Sequence, residues 1–246
     1  DFVLPFRFSD GHWQLGTRRP VSLRIGEIVN QVTARNLTAD LQGTWPWSED
    51  APLQLSNVSV DILGGKLTMQ QLRMPQHDPA LLRVQNISSS ELISAVNPKQ
   101  FAMSGPVSGA LPLWLDNEKW IIKDGWLTNP GPMTLRIDKD TADAVVKDNM
   151  AAGAAINWLR YMEISHSWTK INLDNLGVLT MQSTVTGNSR VDGKVGTVNL
   201  NYIHEENVFT LWRSLRFGDN LQAWLEQNAA LPETHCPEGK ECEEQQ

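Results

Sequence analysis

The stretch GVLTMQSTVTG, residues 177–187, decides the fold class of this 246-residue chain. Leu179, Met181 and Val185 fall in phase on one side of the stretch, and threonines and a glutamine fall on the other. Such alternation with a period of two is typical of a β-strand that has one apolar and one polar face. We therefore expect a sheet in which one face is apolar.

The same alternation recurs along most of the chain. Turn signals such as Gly64-Gly65 and Asn129-Pro130-Gly131-Pro132 separate the repeats. Strands that follow one another at these short intervals predict an antiparallel meander. The recurring apolar positions are Val21, Leu23 and Ile25; Leu37, Ala39 and Leu41; Val58, Val60 and Ile62; Leu67 and Met69; Val107, Leu111, Leu113 and Leu115; Met133, Leu135 and Ile137; and Val198, Leu200 and Tyr202.

Three segments depart from this period and predict about three helices beside the sheet. Residues 88–96 open with serines followed by a glutamate and stop at Asn97-Pro98. Residues 140–161 are rich in alanine, and residues 209–228 carry an apolar side that is interrupted near Gly218. The sequence therefore predicts a mainly β fold with a long antiparallel sheet.

Composition excludes several classes of protein. The chain is 41% hydrophobic and 20% charged, which is typical of a globular protein and not of a disordered one. A net charge of −7 argues against general affinity for nucleic acid. No stretch approaches the roughly 18 to 20 apolar residues of a membrane helix. Since the chain begins Asp1-Phe2-Val3 without Met or an apolar leader, we expect a fragment whose targeting segment is absent or removed.

Residues 1–232 are expected to form a single sheet-dominated domain, followed by an acidic, mobile tail at 233–246. The tail holds both cysteines, Cys236 and Cys242, with five residues between them. A Pro-Glu-Gly-Lys turn favours a disulfide between them in an oxidising compartment. Two free thiols, or a zinc site with His235, are the alternatives.

No motif for catalysis is present. The chain lacks a nucleophile elbow, a phosphate-binding loop and the paired histidines of a zinc-protease helix. We therefore predict no enzyme, no metal and no cofactor. Three Asn-x-Ser/Thr triplets begin at Asn36, Asn57 and Asn86. They would matter for glycosylation only in a eukaryotic secretory route, and we interpret them as chance.

The chain has ten tryptophans, and Trp114, Trp120 and Trp126 recur every six residues, which in strands places them on one face. One interpretation is an aromatic platform for sugar rings, as in carbohydrate-binding modules. Core packing or a greasy surface is favoured, because a tryptophan buries a large apolar area.

An apolar sheet face must be covered by something. A second sheet or closure into a barrel would cover it within the protein. A trough that holds an oily ligand is the other solution, and the pattern alone does not choose between them.

Four segments carry a resemblance to a known family. FAMSGPVSGALPL at residues 101–113 is followed by WIIKDGWLTNPGP at 120–132, and later by VNLNYIHEEN at 198–207, which leads into LWRSLR at 211–216. In this order the segments resemble the C-terminal portion of AsmA-like bridge proteins of bacteria, from about residue 20 to the end of the chain.

The resemblance implies a long, curled sheet in the form of an open trough, which carries phospholipid through the periplasm towards the outer membrane. It further implies an inner-membrane anchor that precedes this chain. At the far end it implies a small outer-membrane lipoprotein, similar to YnbE, as partner. The expected lipid-groove residues are Val107, Leu111, Leu113, Leu115, Met133, Leu135, Ile137, Leu179, Met181 and Val185.

The last strand of the pattern, residues 196–203, would offer an open edge to a partner strand. Its expected edge residues are Gly196, Val198, Leu200 and Tyr202. The broken helix at 209–228 would cover or gate the trough through Leu215, Leu221, Trp224 and Leu225. The alternatives are an assembly module that binds a partner strand without lipid, and a carbohydrate-binding β protein.

Overall fold

The computed structural model describes residues 6–9, 12–29, 32–96, 101–139, 143, 159–191 and 193–209. In this part of the chain thirteen strands form one antiparallel sheet, and a single short helix lies beside it. The strands are β1 (Phe6–Ser9), β2 (His12–Ile28), β3 (Ala34–Trp45), β4 (Leu53–Ile62), β5 (Gly65–Met74), β6 (Ala80–Ser88), β7 (Phe101–Ser104), β8 (Pro106–Leu113), β9 (Trp120–Thr128), β10 (Met133–Ile137), β11 (Tyr161–Asp174), β12 (Val178–Val191) and β13 (Lys194–Asn207). The helix is α1 (Ser89–Val96).

The strands pair almost in chain order. The main path runs β1-β2-β3-β4-β5-β6-β8-β9-β11-β12-β13. The long strand β11 pairs with β9 through its second half and with β10 through its first, and β7 lies outside β10. The sheet is not closed: β13 pairs only with β12 among the described strands. The predicted antiparallel meander is therefore confirmed.

The register of neighbouring strands places the apolar positions on a common face. Leu113 lies opposite Ile122, Ile122 opposite Leu173, and Leu173 opposite Leu179. Directly paired residues of antiparallel strands point to the same side of the sheet. We call this side the apolar face and the opposite side the polar face.

Four strands carry a β-bulge built on a residue with positive φ. Asn36, Asn57 and Asn86 have φ values of 52°, 51° and 51°, and Asp124 has 55°. Each lies where the pairing register shifts by one residue. The three asparagines are those of the Asn-x-Ser/Thr triplets, so the asparagine of each triplet has a structural role. Asparagine suits the position because its short polar side chain tolerates the left-handed conformation.

A different irregularity lies at two chain connections, one between β7 and β8 and one between β9 and β10. Gly105 has φ 110° at the first junction, and the buried Asn129 stands at the second. Asn129 donates through Nδ2 to the carbonyls of Gly131 (2.8 Å) and Ser165 (3.3 Å), and its Oδ1 accepts from the Ser167 amide (2.5 Å) and hydroxyl (2.9 Å). These bonds hold the loop between β9 and β10 against the bulge of β11.

The described residues contain one complete helix, of eight residues, and not about three. Asp143, Leu159 and Phe209, which belong to the other two expected segments, are also helical. Tyr161, the expected end of the second helix, begins β11 instead. Of the second segment only Asp143 and residues 159–161 are described, and of the third only Phe209. The rest of residues 140–158 and 210–228, and the tail at 233–246 with both cysteines, lie outside the described residues.

Candidate functional site

The apolar face is the candidate site, because it gathers the expected groove residues from three strands. Val107, Leu111 and Leu113 alternate along β8, Met133, Leu135 and Ile137 along β10, and Leu179, Met181 and Val185 along β12. The register links these strands through β9 and β11, so their side chains point to one side. Leu115 lies beyond the end of β8 and is 60% exposed.

Part of this face is a closed core. Met162 is fully buried, and Met133 and Ile164 are each 4% exposed. The partly buried side chains packed against these three include Val107, Leu135, Val185 and Val198, together with Met103 and Leu159. We call this half, beyond the Asn129 junction, the closed half of the apolar face.

The other part of the face is less covered, although Ile171, which lies opposite Met181, is buried. Leu111, Leu113, Leu173, Leu179 and Met181 are half-buried, although all belong to strands in the interior of the sheet. No second sheet packs on them in the described part of the chain, because all thirteen strands belong to one sheet. We call this half the open lane.

Sequence reasoning missed several residues of the apolar face on β11. Met162 and Ile164 begin the strand in one phase, whereas Ile171 and Leu173 follow in the other. The bulge between Ile164 and His166 shifts the phase, so a strict period of two does not continue through the strand. When the period of two is applied to each half of the strand separately, it identifies both pairs of apolar residues.

The polar face carries hydrogen bonds and ion pairs that pin the bulges to the neighbouring strand. Asn36 donates to Asp61, and Lys170 pairs with Asp124, each at 2.8 Å. The Asn36 amide, followed by Lys66, lowers the pKa of Asp61 from its ordinary value. Lys170 lowers the pKa of Asp124 in the same way, first through its hydrogen bond. The charged carboxylates of Asp61 and Asp124 therefore have a structural role.

One of the three regularly spaced tryptophans belongs to an aromatic pair. Trp126 stacks on Trp168, with ring centroids 5.0 Å apart and planes inclined by 9°. Both belong to the polar face, because Trp126 lies opposite Lys170 and Trp168 opposite Thr184. Trp168 is 45% exposed and was not among the expected residues.

The expected edge residues lie on β13, which has a described neighbour on one side only. Gly196, Val198, Leu200 and Tyr202 point to the apolar face, opposite Ser189, Gly187, Val185 and Ser183 of β12. The gating residues Leu215, Leu221, Trp224 and Leu225 and the cysteines Cys236 and Cys242 lie outside the described residues.

Other candidate sites are weaker. A cleft of about 950 Å³ lies beside α1 and the β4–β5 turn, but Arg35, Asp61, Lys66 and Glu91 contribute to its lining. Its charged lining does not suit an acyl chain. The described residues contain no cluster of three or more metal-ligating side chains. They also contain no helix long and apolar enough to cross a membrane.

Comparison with known proteins gives a consistent result. The sequence model of the YdbH-like family, described as "Intermembrane phospholipid transport protein YdbH", matches residues 1–230. Over all 246 residues the chain is 78% identical to a protein of Escherichia coli (strain K12) named "Probable phospholipid transport protein YdbH". The chain spans 28% of the length of that relative. No solved structure matches.

Proposed function

Because this chain belongs to the YdbH-like family of intermembrane phospholipid transport proteins, we propose that its apolar face binds phospholipid acyl chains. The chain would be the C-terminal part of a non-enzymatic conduit between the inner and outer membranes. The observation that carries the proposal is the open lane, a row of half-buried leucines and a methionine in the middle of an open sheet.

Burial of hydrocarbon supplies the binding energy. Each methylene group that leaves water contributes about 0.8 kcal/mol, so a tail needs only apolar contact along its length. The headgroup stays hydrated outside the lane. Such transport needs no covalent step, which agrees with the lack of catalytic motifs in the sequence.

The two halves of the apolar face are proposed to have different roles. The closed half already fills its volume with its own side chains around Met162. The side chains of the open lane, such as Leu113 and Met181, still expose apolar surface. We therefore place the acyl chains on the open lane, and give Val107, Met133, Leu135, Ile137 and Val185 a supporting role beside it.

The edge of β13 is proposed to receive a strand from a small outer-membrane lipoprotein similar to YnbE. Fourteen residues of β13 pair with β12, and the opposite edge has no described strand beside it. An unpaired edge of this length offers a row of backbone donors and acceptors to a partner. An inner-membrane anchor outside this chain would hold the other end of the bridge, and the chain itself would lie in the periplasm.

Two further functions compete with lipid transport. An assembly module would use the β13 edge alone and carry no lipid. A carbohydrate-binding protein would use the Trp126–Trp168 stack, which is aromatic and partly exposed on the polar face. Quenching of tryptophan fluorescence by soluble oligosaccharides, lost in Trp168→Ala, would favour the second of these.

The lipid proposal is tested by extracting the purified chain and measuring bound phospholipid by mass spectrometry. Met181→Glu places a carboxylate on the open lane and is expected to lose most of the bound lipid. Gln182→Glu adds the same charge to the polar face of the same strand and should retain it. Absence of lipid from the folded wild-type chain would leave the assembly module instead.

A further inference from the structure

The apolar lining of the open lane ends at β13. Along β12 the lane contains Leu179 and Met181, but the residues directly opposite them on β13 are Glu206 and His204. At the next position on the same face, Tyr202 lies opposite Ser183. The last described strand thus presents polar side chains to the apolar face where every preceding strand presents mainly apolar ones.

This change of polarity occurs at the open lane. In the closed half, Val185 lies opposite Leu200 and Gly187 opposite Val198, so β13 presents apolar side chains there, up to Lys194 at the start of the strand. The two halves of one strand therefore differ in character, and the division coincides with the division between closed core and open lane. A general need for a polar edge strand would not produce this pattern.

The polar side chains form an ordered group. The Tyr202 hydroxyl and His204 Nδ1 are 3.1 Å apart, and the two rings stack with centroids 5.9 Å apart and planes 18° from parallel. Beside them the hydroxyls of Ser183 and Thr169 are 2.9 Å apart, which continues the polar row onto β12 and β11. Glu206 stands next along β13 and is exposed.

We propose that Tyr202, His204 and Glu206 bind the headgroup of a phospholipid that carries both a phosphate and a primary ammonium group. The proposal rests on the proposed function, because the acyl chains of that lipid would occupy the adjacent open lane. The Glu206 carboxylate pairs with the ammonium group, to which the Tyr202 ring also offers its face. The hydroxyls of the row donate hydrogen bonds to the phosphate.

The charges around the row favour a zwitterionic headgroup over an anionic one. On the apolar side of β12 and β13, the only lysine or arginine among the described residues is Lys194. It lies twelve positions from Glu206, about 40 Å along an extended strand. An anionic headgroup would therefore meet the Glu206 carboxylate with no lysine or arginine of these two described strands beside it. Selectivity arises from this repulsion as well as from the attraction for ammonium.

The experiment compares lipids bound from vesicles of equal parts phosphatidylethanolamine and phosphatidylglycerol. The 246-residue chain is incubated with the vesicles and re-isolated, and its bound lipids are quantified by mass spectrometry. We expect phosphatidylethanolamine to be enriched on the wild type, and Glu206→Gln to lower the ratio of the two lipids by about two- to fivefold. Glu205→Gln, on the polar face of the same strand, is the matched control and should leave the ratio unchanged.

The outcomes distinguish the claim of a headgroup site from the claim that the chain binds lipid. Bound lipid at the vesicle ratio on the wild type, or the same ratio in Glu206→Gln and the wild type, would overturn the headgroup site while leaving lipid binding intact. A fall of equal size in Glu205→Gln would also overturn it, because the effect would then be one of net charge. A wild-type chain that binds neither lipid would contradict the proposed function itself.

Discussion

The side-chain amide of Asn57 donates a hydrogen bond to Asp40 across the β3–β4 pair, with Nδ2 and Oδ2 2.8 Å apart. Asn57 is the bulge residue of β4, and Asp40 lies on the polar face, where the Ser22 hydroxyl also donates to it at 2.6 Å. A backbone irregularity is thus fixed by side chains of two neighbouring strands. The same arrangement recurs at Asn36 with Asp61 and at Asp124 with Lys170.

Substitution of Asn57 tests the role of this bulge. Asn57→Ala forces an alanine to φ near 51° and removes the bond to Asp40, so we expect the free energy of unfolding to fall by about 2 kcal/mol. Asn57→Gly relieves the backbone strain and should cost about half as much. Urea denaturation measures both. Ser59→Ala, in the same strand, is the control and is expected to change stability by less than about 0.5 kcal/mol. Equal losses for alanine and glycine would contradict the strained-bulge account.

Stability should depend on the charge of Asp40. The Ser22 hydroxyl, followed by the Asn57 amide, holds the pKa of Asp40 below its ordinary value of 3.8. A carboxyl group whose pKa is lowered by folding stabilises the protein above its unfolded pKa, and this contribution is lost as the pH falls through the folded value. As the pH falls below about 4, the urea concentration at the unfolding midpoint should therefore decrease. The decrease should be less steep in Asp40→Asn than in the wild type. Identical acid dependence of the two proteins would exclude this role.

The closed half and the open lane should respond differently to truncation. Met162 is fully buried, so Met162→Ala is expected to cost about 3 kcal/mol, through lost burial and the cavity left behind. Leu179→Ala on the half-buried open lane should cost about 1 kcal/mol in the lipid-free chain. Met162→Leu, which nearly preserves volume, should cost less than about 1.5 kcal/mol. Similar losses at Met162 and Leu179 would mean that the lane is closed core as well.

The β13 edge is tested with proline at two adjacent positions. Neighbouring residues of a strand direct their backbone N–H groups to opposite edges, so Asn199→Pro and Leu200→Pro cannot both disturb the pairing with β12. One variant should lower the urea midpoint, whereas the other should keep it and lose capture of the proposed lipoprotein partner in a pull-down. Capture by both variants at the wild-type level would rule out strand addition at this edge.

The sequence predicted the sheet and its apolar face because alternation is a local signal that needs no tertiary knowledge. It predicted Leu113, Met181 and Leu200 on a common face, and the register places them there. The same reasoning failed on β11, because the bulge inserts one residue and every side chain after it points to the opposite face from the one that a strict period of two predicts. The role of Asn57 was present in the sequence as an Asn-x-Ser triplet but has meaning only beside Asp40 of another strand.

The division of the apolar face into two halves was not predictable. Leu135 and Leu113 are both half-buried, yet Leu135 packs against the buried cluster of Met133, Met162 and Ile164 and Leu113 does not. The two halves meet at the Asn129 junction, where contacts of Asn129 with Ser165 and Ser167 join segments 36 and 38 residues apart in the chain. The register of β12 and β13, by contrast, which places Glu206 beside Leu179, follows from a local hairpin that closes at the Val191–Lys194 pair.

The most direct test of the lipid path is site-specific photo-crosslinking in cells supplied with labelled phosphate. A photoreactive amino acid is placed at Leu113 and Met181 on the open lane, and at Arg136 and Gln182 on the polar face. The account predicts labelled phospholipid on the first two positions and none on the second two. Label on both faces alike, or on neither face of a folded protein, would contradict a lipid path on the apolar face.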